Sequence, residues 1–327
     1  MPSKLSTLLA SSGRTPQILD GALATYLETL GADISSALWS AQILLDQPSL
    51  IQRTHLDYYR AGANITITAS YQASLPGLVK HLTVSEEAAK VLVGKSVALA
   101  RGARDEYFSS RRAHAARARL GENEEREEDE VLLVAGSVGP YGAFLADGSE
   151  YRGDYMLGKQ QLKAFHRGRM QALVEAGVDV LACETMPSYA EICALAELLR
   201  DEFPGTEAWF SFTLRDAGHI SDGTALEDVV KALEGAEQVV ALGVNCVPSD
   251  LALGALKQLK KFTRKPLVVY PNSGELWNAE RRDWEGSRSE GTQLAERTKE
   301  YWDAGARLIG GCCRTTPADI KVIADTL

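Results

Sequence analysis

The sequence lacks any long apolar run and any excess of basic residues. No stretch of its 327 residues reaches the roughly 20 apolar residues that a membrane-spanning helix requires. Residues 1–17 also lack the apolar core of a secretory leader. The 44 acidic residues outnumber the 35 basic ones, which gives a formal net charge of -9. Because nucleic acids and anionic membranes bind clustered Lys and Arg, this balance disfavours both and favours a small-molecule partner.

Cysteine is scarce, and the five cysteines lack the spacing of a disulfide framework. An odd number of thiols without such spacing predicts a reducing compartment, where thiolates remain free to bind a metal. We therefore expect a cytoplasmic protein whose partners are small molecules, with neither a nucleic acid nor a membrane among them. The five histidines fall on predicted helices or loops, which disfavours a hydrolase that depends on histidine.

A Gly-rich phosphate-binding loop is missing as well, since the first predicted strand ends in Asp20-Gly21-Ala22-Leu23. Such a loop is typical of doubly wound open sheets, which its absence disfavours. Eight short apolar or β-branched runs recur instead, and most are separated by room for a helix. They are Gln17–Asp20, Asn64–Ser70, Val131–Ser137, Val178–Glu184, Ala208–Leu214, Val239–Cys246, Leu267–Pro271 and Arg307–Cys312. Eight such units predict an α/β fold, a (β/α)8 TIM barrel that forms a single domain over residues 1–327.

A tripeptide pattern that recurs along the sequence supports the prediction of a barrel. The tripeptides Ala61-Gly62-Ala63, Ala176-Gly177-Val178 and Ala304-Gly305-Ala306 each follow a helical pattern and precede a strand, as expected of a left-handed glycine that ends a helix. Glu184 and Cys312 lie at the same distance, seven residues, after the second and third of these glycines. If the units are equivalent, both residues lie at the C-terminal mouth of the barrel, where barrel enzymes carry their chemistry.

A charged segment at about residues 109–130 interrupts this pattern. Residues 111–119 are rich in Arg and Ala, and residues 121–130 are almost wholly acidic. Such a composition cannot bury apolar area. We therefore expect a surface insert in the form of a solvated loop between a long helix and the third strand.

Three cysteines lie at the ends of predicted strands. Cys246 ends the sixth run, and Cys312 and Cys313 follow two glycines at the end of the last run. Because neighbouring side chains on a strand face opposite ways, the adjacent pair serves one site only if the strand ends and the backbone turns there. Three sulfurs at strand ends suit a zinc ion whose fourth position stays open. Buried apolar cysteines and a strained vicinal disulfide are the alternatives on spacing alone.

Polar side chains also cluster at the other strand ends. They are Asp20, Ser70, Tyr71, Ser137, Glu184, Asn245, Asn272 and Ser273. Burying polar groups is costly unless they are paired, so the cluster predicts a ligand site. Asp20 either caps the following turn or helix or joins Glu184 in holding a substrate ammonium group. In the second interpretation, Ser137 and nearby backbone N–H groups take the substrate carboxylate.

Seven blocks of the sequence, in order from about residue 15 to the end, resemble the homocysteine S-methyltransferase family. They are Asp20-Gly21, residues 64–74, Gly136-Ser137-Val138-Gly139-Pro140, Glu184-Thr185, Gly243-Val244-Asn245-Cys246, Tyr270-Pro271-Asn272-Ser273-Gly274 and Gly310-Gly311-Cys312-Cys313. The resemblance implies a (β/α)8 barrel in which Cys246, Cys312 and Cys313 hold Zn²⁺ and act in catalysis through it. It also implies that Asp20 and Glu184 bind the amino group of L-homocysteine.

The implied reaction moves a methyl group from a sulfonium donor to the zinc-bound thiolate of homocysteine and gives methionine. Gly21, Ser137 and Asn245 complete the expected substrate site, and Tyr71 maps approximately onto a tyrosine in the family's site. The block from Tyr71 to Ser74 resembles the branch of the family that uses S-methylmethionine or S-adenosylmethionine as donor.

Three alternatives stay open at this point. The chain could be a selenocysteine or selenohomocysteine methyltransferase of the same family. A zinc lyase or aldolase would use the open zinc position to polarise a carbonyl, but it would require a His or Lys base at a strand end, and none is found there. A structural or redox-sensing zinc-cysteine cluster would not change its coordination when homocysteine is added.

Overall fold

The computed structural model describes residues 5–11, 15–34, 40–118, 130–278, 283–285 and 288–327, in which helices and strands alternate along the chain. The strands are β1 (Gln17–Ile18), β2 (Ile65–Ile67), β3 (Leu133–Val138), β4 (Val180–Met186), β5 (Ala208–Phe212), β6 (Leu214–Asp216), β7 (His219–Ile220), β8 (Val239–Asn245), β9 (Leu267–Tyr270), β10 (Leu276–Asn278), β11 (Asp283–Glu285) and β12 (Ala306–Ile309). The helices are α1 (Leu5–Ser11), α2 (Leu23–Thr29), α3 (Ser40–Asp46), α4 (Pro48–Arg60), α5 (Leu75–Leu82), α6 (Glu86–Ala118), α7 (Tyr141–Leu145), α8 (Lys159–Glu175), α9 (Tyr189–Glu202), α10 (Leu226–Glu234), α11 (Ser249–Phe262), α12 (Gly291–Asp303) and α13 (Pro317–Thr326). A short 3₁₀ turn, Ser149–Tyr151, lies between α7 and α8.

Eight strands form one parallel sheet in the order β1, β12, β9, β8, β5, β4, β3 and β2. A parallel bridge between Leu19 and Ile65 joins its two ends, and the Asn64 amide donates to the Ile18 carbonyl at 2.7 Å across the same seam. Each of the eight predicted runs overlaps one of these strands. The TIM barrel predicted from the sequence is therefore confirmed. The pairs β6–β7 and β10–β11 form two small antiparallel hairpins outside it.

Side chains alternate between two layers of core. In β4, Val180 and Ala182 face the barrel interior, whereas Leu181 and Cys183 belong to the larger apolar layer between strands and helices. This alternation follows from strand geometry, and it places Cys183 away from the mouth. Trp209 fills part of the interior and is fully buried there.

Helix α1 closes the amino-terminal end of the barrel. Leu5 packs with the interior apolar cluster. The Ser6 amide donates to the Glu207 carboxylate at 3.0 Å, directly before β5 begins. The opposite, carboxyl-terminal end is thereby left as the open mouth.

The helix ends agree with the repeated glycine pattern, but the charged segment does not fully agree with its prediction. Gly62, Gly177 and Gly305 have φ values of 103°, 83° and 106°, as expected of left-handed residues that end helices. Helix α6 continues through Ala118, so the Arg- and Ala-rich part of the insert is helical and the prediction of a loop there is wrong. Residues 119–129 lie outside the described residues. Although α6 has 33 residues, no described helix is both long and apolar enough to span a bilayer.

Candidate active site

The three cysteines singled out from the sequence converge at the mouth. Their Sγ atoms all lie within 4.8 Å of one another, and Cys246 Sγ lies 3.5 Å from Cys313 Sγ. Cys246 follows β8, whereas Cys312 and Cys313 follow β12, with β9 between the two strands. All three thiols are free of disulfide bonds. The barrel thus joins groups that lie far apart in the sequence.

Backbone geometry at the two strand ends explains how the thiols face one point. Cys246 has a φ of 55°, in the left-handed region, so the chain leaves the strand direction directly after Asn245. After β12 the backbone turns, and the Thr315 amide donates to the Cys312 carbonyl at 3.0 Å. Arg314 supplies the left-handed residue of that turn, with a φ of 69°. The adjacent cysteine pair can therefore serve one site.

Gly310 and Gly311 are required by close packing. A Cβ atom on Gly311 would lie 2.6 Å from Thr315 Cβ, and one on Gly310 would lie 2.6 Å from Leu19 Cβ. The Gly311 amide also donates to the Asp20 carbonyl at 3.2 Å. Only residues without a side chain let the end of β12 approach β1 this closely, and the approach brings the cysteine turn beside Asp20.

The thiols influence one another's ionisation. Hydrogen bonds from Cys246 and Cys312 hold the pKa of Cys313 well below its ordinary value. Hydrogen bonding to Cys246 and Cys313, together with burial, raises the pKa of Cys312. One thiolate is thus stable in the cluster, but ionising all three requires a compensating cation. The sulfur spacing agrees with zinc, because Zn–S bonds of about 2.3 Å in a tetrahedron place ligand sulfurs about 3.8 Å apart.

Two buried carboxyl groups lie in the same mouth. Asp20 accepts the Ile67 amide at 2.8 Å. The residue at the N-cap of α2 is Ala22, so Asp20 does not cap that helix. Glu184 accepts a hydrogen bond from the Ser137 hydroxyl. Burial raises the pKa of Asp20 well above its usual range and raises the pKa of Glu184 to about 7.

Asn245 and Ser137 hold Glu184 in place. Asn245 Oδ1 accepts the Thr185 amide at 2.8 Å, and Asn245 Nδ2 donates to Thr185 Oγ1 at 2.8 Å. Thr185 has a φ of 61°, and the double hydrogen bond stabilises this left-handed residue directly after Glu184. Asn245 and Ser137, which were both predicted to contact the substrate, therefore orient the Glu184 carboxylate in the structure.

Gly21 and Tyr71 occupy confined positions near the mouth. A Cβ atom on Gly21 would lie 2.9 Å from Tyr58 Oη. Tyr71 is half-buried, and its carbonyl accepts a hydrogen bond from Arg169 Nη1 at 2.8 Å. Burial, followed by the charge of Glu150, raises the pKa of Tyr71, so its hydroxyl stays protonated at neutral pH.

Sequence reasoning missed three residues of the site. In the 3₁₀ turn, the Tyr151 hydroxyl lies 3.2 Å from Cys246 Sγ, and the neighbouring Glu150 interacts electrostatically with the same cysteine. Tyr270, the last residue of β9, forms a hydrogen bond that opposes the rise in the pKa of Glu184. Tyr270 could have been found as a strand end. The length of the connection from β3 to α8 was the available signal for the other two, since loops at the mouth of a barrel carry its ligand groups.

A buried ionic network supports two loops at the mouth. His166 Nε2 lies 2.6 Å from Glu191 Oε1, and Arg169 Nη2 lies 2.9 Å from His166 Nδ1. Because a guanidinium only donates and a carboxylate only accepts, His166 is the neutral tautomer with its proton on Nε2. Burial lowers the pKa of His166 accordingly. Arg169 also donates to the carbonyls of Tyr71 and Gly139, so the network fixes the chain after β2 and after β3.

Comparison with known proteins gives close matches over nearly the whole chain. The family model described as homocysteine S-methyltransferase matches residues 17–327. The homocysteine S-methyltransferase of Escherichia coli (strain K12) is 52% identical over 306 residues, which cover 94% of this chain and 93% of that protein. Homocysteine S-methyltransferase YbgG of Bacillus subtilis (strain 168) is 47% identical over 308 residues, with coverage of 94% and 93%. The selenocysteine methyltransferase of Astragalus bisulcatus is 42% identical over 327 residues, with coverage of 99% and 96%.

Solved structures agree with these matches. The metallated form of the homocysteine methyltransferase MmuM from Escherichia coli superposes with a TM-score of 0.85 and 49% identity, covering 98% of this chain and 99% of that one. Its oxidized form gives the same TM-score at 50% identity, again with coverage of 98% and 99%. The similarity therefore extends over the complete barrel, including the strand ends that form the mouth.

Proposed function

The chain belongs to the homocysteine S-methyltransferase family, and we propose that it moves a methyl group from a sulfonium donor to L-homocysteine to give methionine. Membership of the family makes it a methyltransferase that acts on homocysteine. The proposal for the site rests on one observation above all, the convergence of three Sγ atoms within 4.8 Å at the mouth of the barrel.

The proposed ligands of a Zn²⁺ cofactor are Cys246, Cys312 and Cys313. Three sulfur donors leave one tetrahedral position for an incoming thiol. Bound zinc would lower the pKa of the homocysteine thiol, which is near 8.5 when free, and so supply a thiolate nucleophile. Three cysteine thiolates exceed the charge of one divalent cation, so the incoming sulfur keeps its electron density.

Asp20 and Glu184 are the proposed site for the homocysteine ammonium group. Both side chains are buried, and neither has a salt bridge within the part of the chain that the structure describes. Burial raises the pKa of both carboxyl groups, so a positive charge bound beside them would favour their ionised forms. Homocysteine would therefore bind with its amino group at the carboxylates and its thiol toward the cysteines.

The reaction needs little beyond position and charge. The bond from the methyl carbon to the donor sulfur breaks as the bond to the homocysteine sulfur forms, and the donor leaves as a neutral thioether. No proton has to reach the leaving group, which agrees with a site that contains no histidine among its described residues. Holding the two sulfurs in line with the methyl group would supply much of the acceleration.

Turnover measured with each donor tests this proposal. Methionine formation is followed with S-methylmethionine or S-adenosylmethionine at fixed homocysteine, and zinc is quantified in the same preparation. We expect turnover with at least one donor in proportion to bound zinc. Cys246→Ala should lose both zinc and turnover while remaining folded, whereas Cys193→Ala, on α9, should keep both. Methionine formation by zinc-free protein or by Cys246→Ala would contradict the assignment.

Selenocysteine is a second acceptor to assay, because the selenocysteine methyltransferase of Astragalus bisulcatus is 42% identical to this chain. We expect kcat/KM to be higher for homocysteine, since the relatives with the highest identities quoted above are homocysteine S-methyltransferases. The opposite order would make the selenium acceptor the substrate. Family membership leaves a lyase or a purely structural cluster without support, and a cytoplasmic location stays a prediction from the cysteine content.

A further inference from the structure

Glu150 is held at the edge of the mouth by contacts on both sides. The next residue, Tyr151, has its hydroxyl 3.2 Å from Cys246 Sγ. Gly142 packs so closely on the turn that a Cβ atom there would lie 2.8 Å from Glu150 Cα. Thr213 Oγ1 donates to the Glu150 carbonyl at 3.1 Å. The backbone of Glu150 is therefore held in place, next to the residue that contacts Cys246.

The Glu150 carboxylate is buried, and one of its two oxygens lacks a hydrogen-bond partner among the described residues. The residue is only 6% exposed, and its Oε2 atom has no hydrogen-bond partner among the described residues. Burying a carboxylate without such partners is costly. The hydrogen bond that favours the ionised form of Glu150 comes from its own backbone amide, whereas Asp20 and Glu184 accept hydrogen bonds from other residues, Ile67 and Ser137. Glu150 therefore has capacity for a ligand.

The charges around Glu150 inside the mouth have its own sign. Burial raises the pKa of Glu150, and the Cys246 thiol acts in the same direction. The charge of Glu150 in turn raises the pKa of Tyr71. The Arg152 guanidinium opposes these effects, but its side chain is half-exposed and lies 3.2 Å from Asp154. A cationic ligand would complete this site.

We propose that Glu150 binds the positive charge of the methyl donor, a sulfonium-bearing amino acid or nucleoside, beside the three-cysteine site. The inference rests on the proposed function, since that reaction brings a sulfonium to this mouth. Glu150 and Glu184 both interact with Cys246 and Tyr71. Glu184 is already hydrogen-bonded to Ser137, and Asp20 to Ile67, whereas Glu150 Oε2 has no partner among the described residues. The donor and the homocysteine ammonium are thereby assigned to different carboxylates.

The chemistry predicts which kinetic constant depends on Glu150. The donor sulfur is positive before transfer and neutral after it, so the carboxylate stabilises the bound donor more than it stabilises the transition state or the thioether product. Glu150 therefore contributes to donor affinity and to the difference in affinity between donor and product. It does not lower the barrier from the bound state.

The test is the isosteric variant Glu150→Gln in zinc-loaded protein at saturating homocysteine. We expect the KM for S-methylmethionine to rise by about tenfold or more, as for loss of a buried charge-assisted contact. The kcat should not fall, because Glu150 stabilises the bound donor more than the transition state, and the KM for homocysteine and the zinc content should stay at wild-type values. Asp154→Asn makes the same charge change in the same connection but at an exposed side chain, and it should alter none of these quantities.

The melting temperature shows whether each variant is folded, and a second variant, Glu150→Asp, separates loss of charge from a change in packing. Glu150→Asp keeps the charge, so it should retain a lower donor KM than Glu150→Gln does. An unchanged donor KM in a folded Glu150→Gln protein would overturn the proposal, as would a rise confined to the KM for homocysteine or equal impairment of both variants. If the wild-type protein methylates homocysteine from no sulfonium, the proposed function itself fails, and that result is distinct from the outcomes above.

Discussion

Glu184 is a carboxyl group whose ionisation falls near neutral pH. Burial raises its pKa from 4.5 to about 7, against opposing hydrogen bonds from Ser137 and Tyr270. Since the folded state holds this proton more tightly than the unfolded state, Glu184 costs stability as the pH rises from 4.5 to about 7. An ammonium group bound beside it offsets that cost, which links substrate binding to pH.

The KM for homocysteine should therefore fall as the pH rises through about 7, because a protonated Glu184 cannot attract an ammonium group. Glu184→Gln should raise that KM and remove most of its dependence on pH in this range. The ionisation of the homocysteine thiol affects this KM equally in both proteins, so its effect cancels when the two pH profiles are compared. Parallel pH profiles for wild type and variant would show that Glu184 does not bind the amino group.

At the residue scale, the sequence predicted groups that lie at strand ends and missed those on loops. Cys246 and Glu184 were found because parallel strands bring their carboxyl ends to one face. Nothing in the sequence indicated the left-handed conformations of Cys246, Thr185 and Arg314, since none of the three is glycine. Glu150 was missed because its burial depends on how a long connection folds back over the mouth.

At the scale of elements, helix α8 holds two loops at the mouth in place. The buried chain from Arg169 through His166 to Glu191 joins α8 to α9, and Arg169 also binds the carbonyls of Tyr71 and Gly139. Burial lowers the pKa of Arg169 to about 10, which leaves it charged at neutral pH. Two loops at the mouth therefore depend on one buried cation.

Arg169→Met should destabilise the protein by about 3–5 kcal/mol, because it leaves the Glu191 charge without its buried cation. The kcat should fall as well, since the loop that carries Tyr71 loses its anchor. Arg167→Met is the matched control: this arginine lies on the same helix in an exposed pair with Glu202 and should cost at most about 1 kcal/mol. Urea unfolding measures both costs, and equal values would refute the network's role.

Helix α4 contains a titratable residue that favours the neutral form. His55 is fully buried, and neither ring nitrogen has a hydrogen-bond partner in the described chain. Burial lowers the pKa of His55 from 6.5 to about 4. The unfolded state thus takes up a proton first, and the folded state loses stability as the pH falls from 6.5 toward 4.

This loss should amount to about 3 kcal/mol, at ~1.4 kcal/mol for each pKa unit. His55→Leu should remove that dependence on pH and leave stability at neutral pH unchanged or higher, since no hydrogen bond is lost. Denaturant unfolding of both proteins between these pH values measures the difference. The same acid-induced loss in His55→Leu would assign it to other groups.

Among the elements, the eight barrel strands were predictable because each carries a short apolar run between helical patterns. Two helices were not. The charged composition of residues 111–118 indicated a loop, but α6 continues through them, because Ala and Arg are strong helix formers. Helix α1 covers the base of the barrel, and no periodic pattern in seven residues could show which end it closes.

At the scale of the whole molecule, the order of the strands makes the site. Cys246 and the Cys312–Cys313 pair reach one point only because the sheet places β9 alone between β8 and β12 and closes β12 onto β1. The same closure brings Asp20 beside the cysteine turn. The mouth gathers three thiols and three buried carboxyl groups, those of Asp20, Glu150 and Glu184, in a chain whose net charge is -9. This arrangement suits cationic ligands, namely a metal ion, an ammonium group and a sulfonium.

Zinc K-edge X-ray absorption of the purified protein, without and with homocysteine, tests this account most directly. Three cysteine sulfurs and an open fourth position predict about three Zn–S contacts near 2.3 Å in the free protein and about four once homocysteine is added. The added sulfur should be absent in Cys313→Ala. A sulfur count that does not change on addition of homocysteine, or a preparation with full activity and no bound metal, would contradict the central claim.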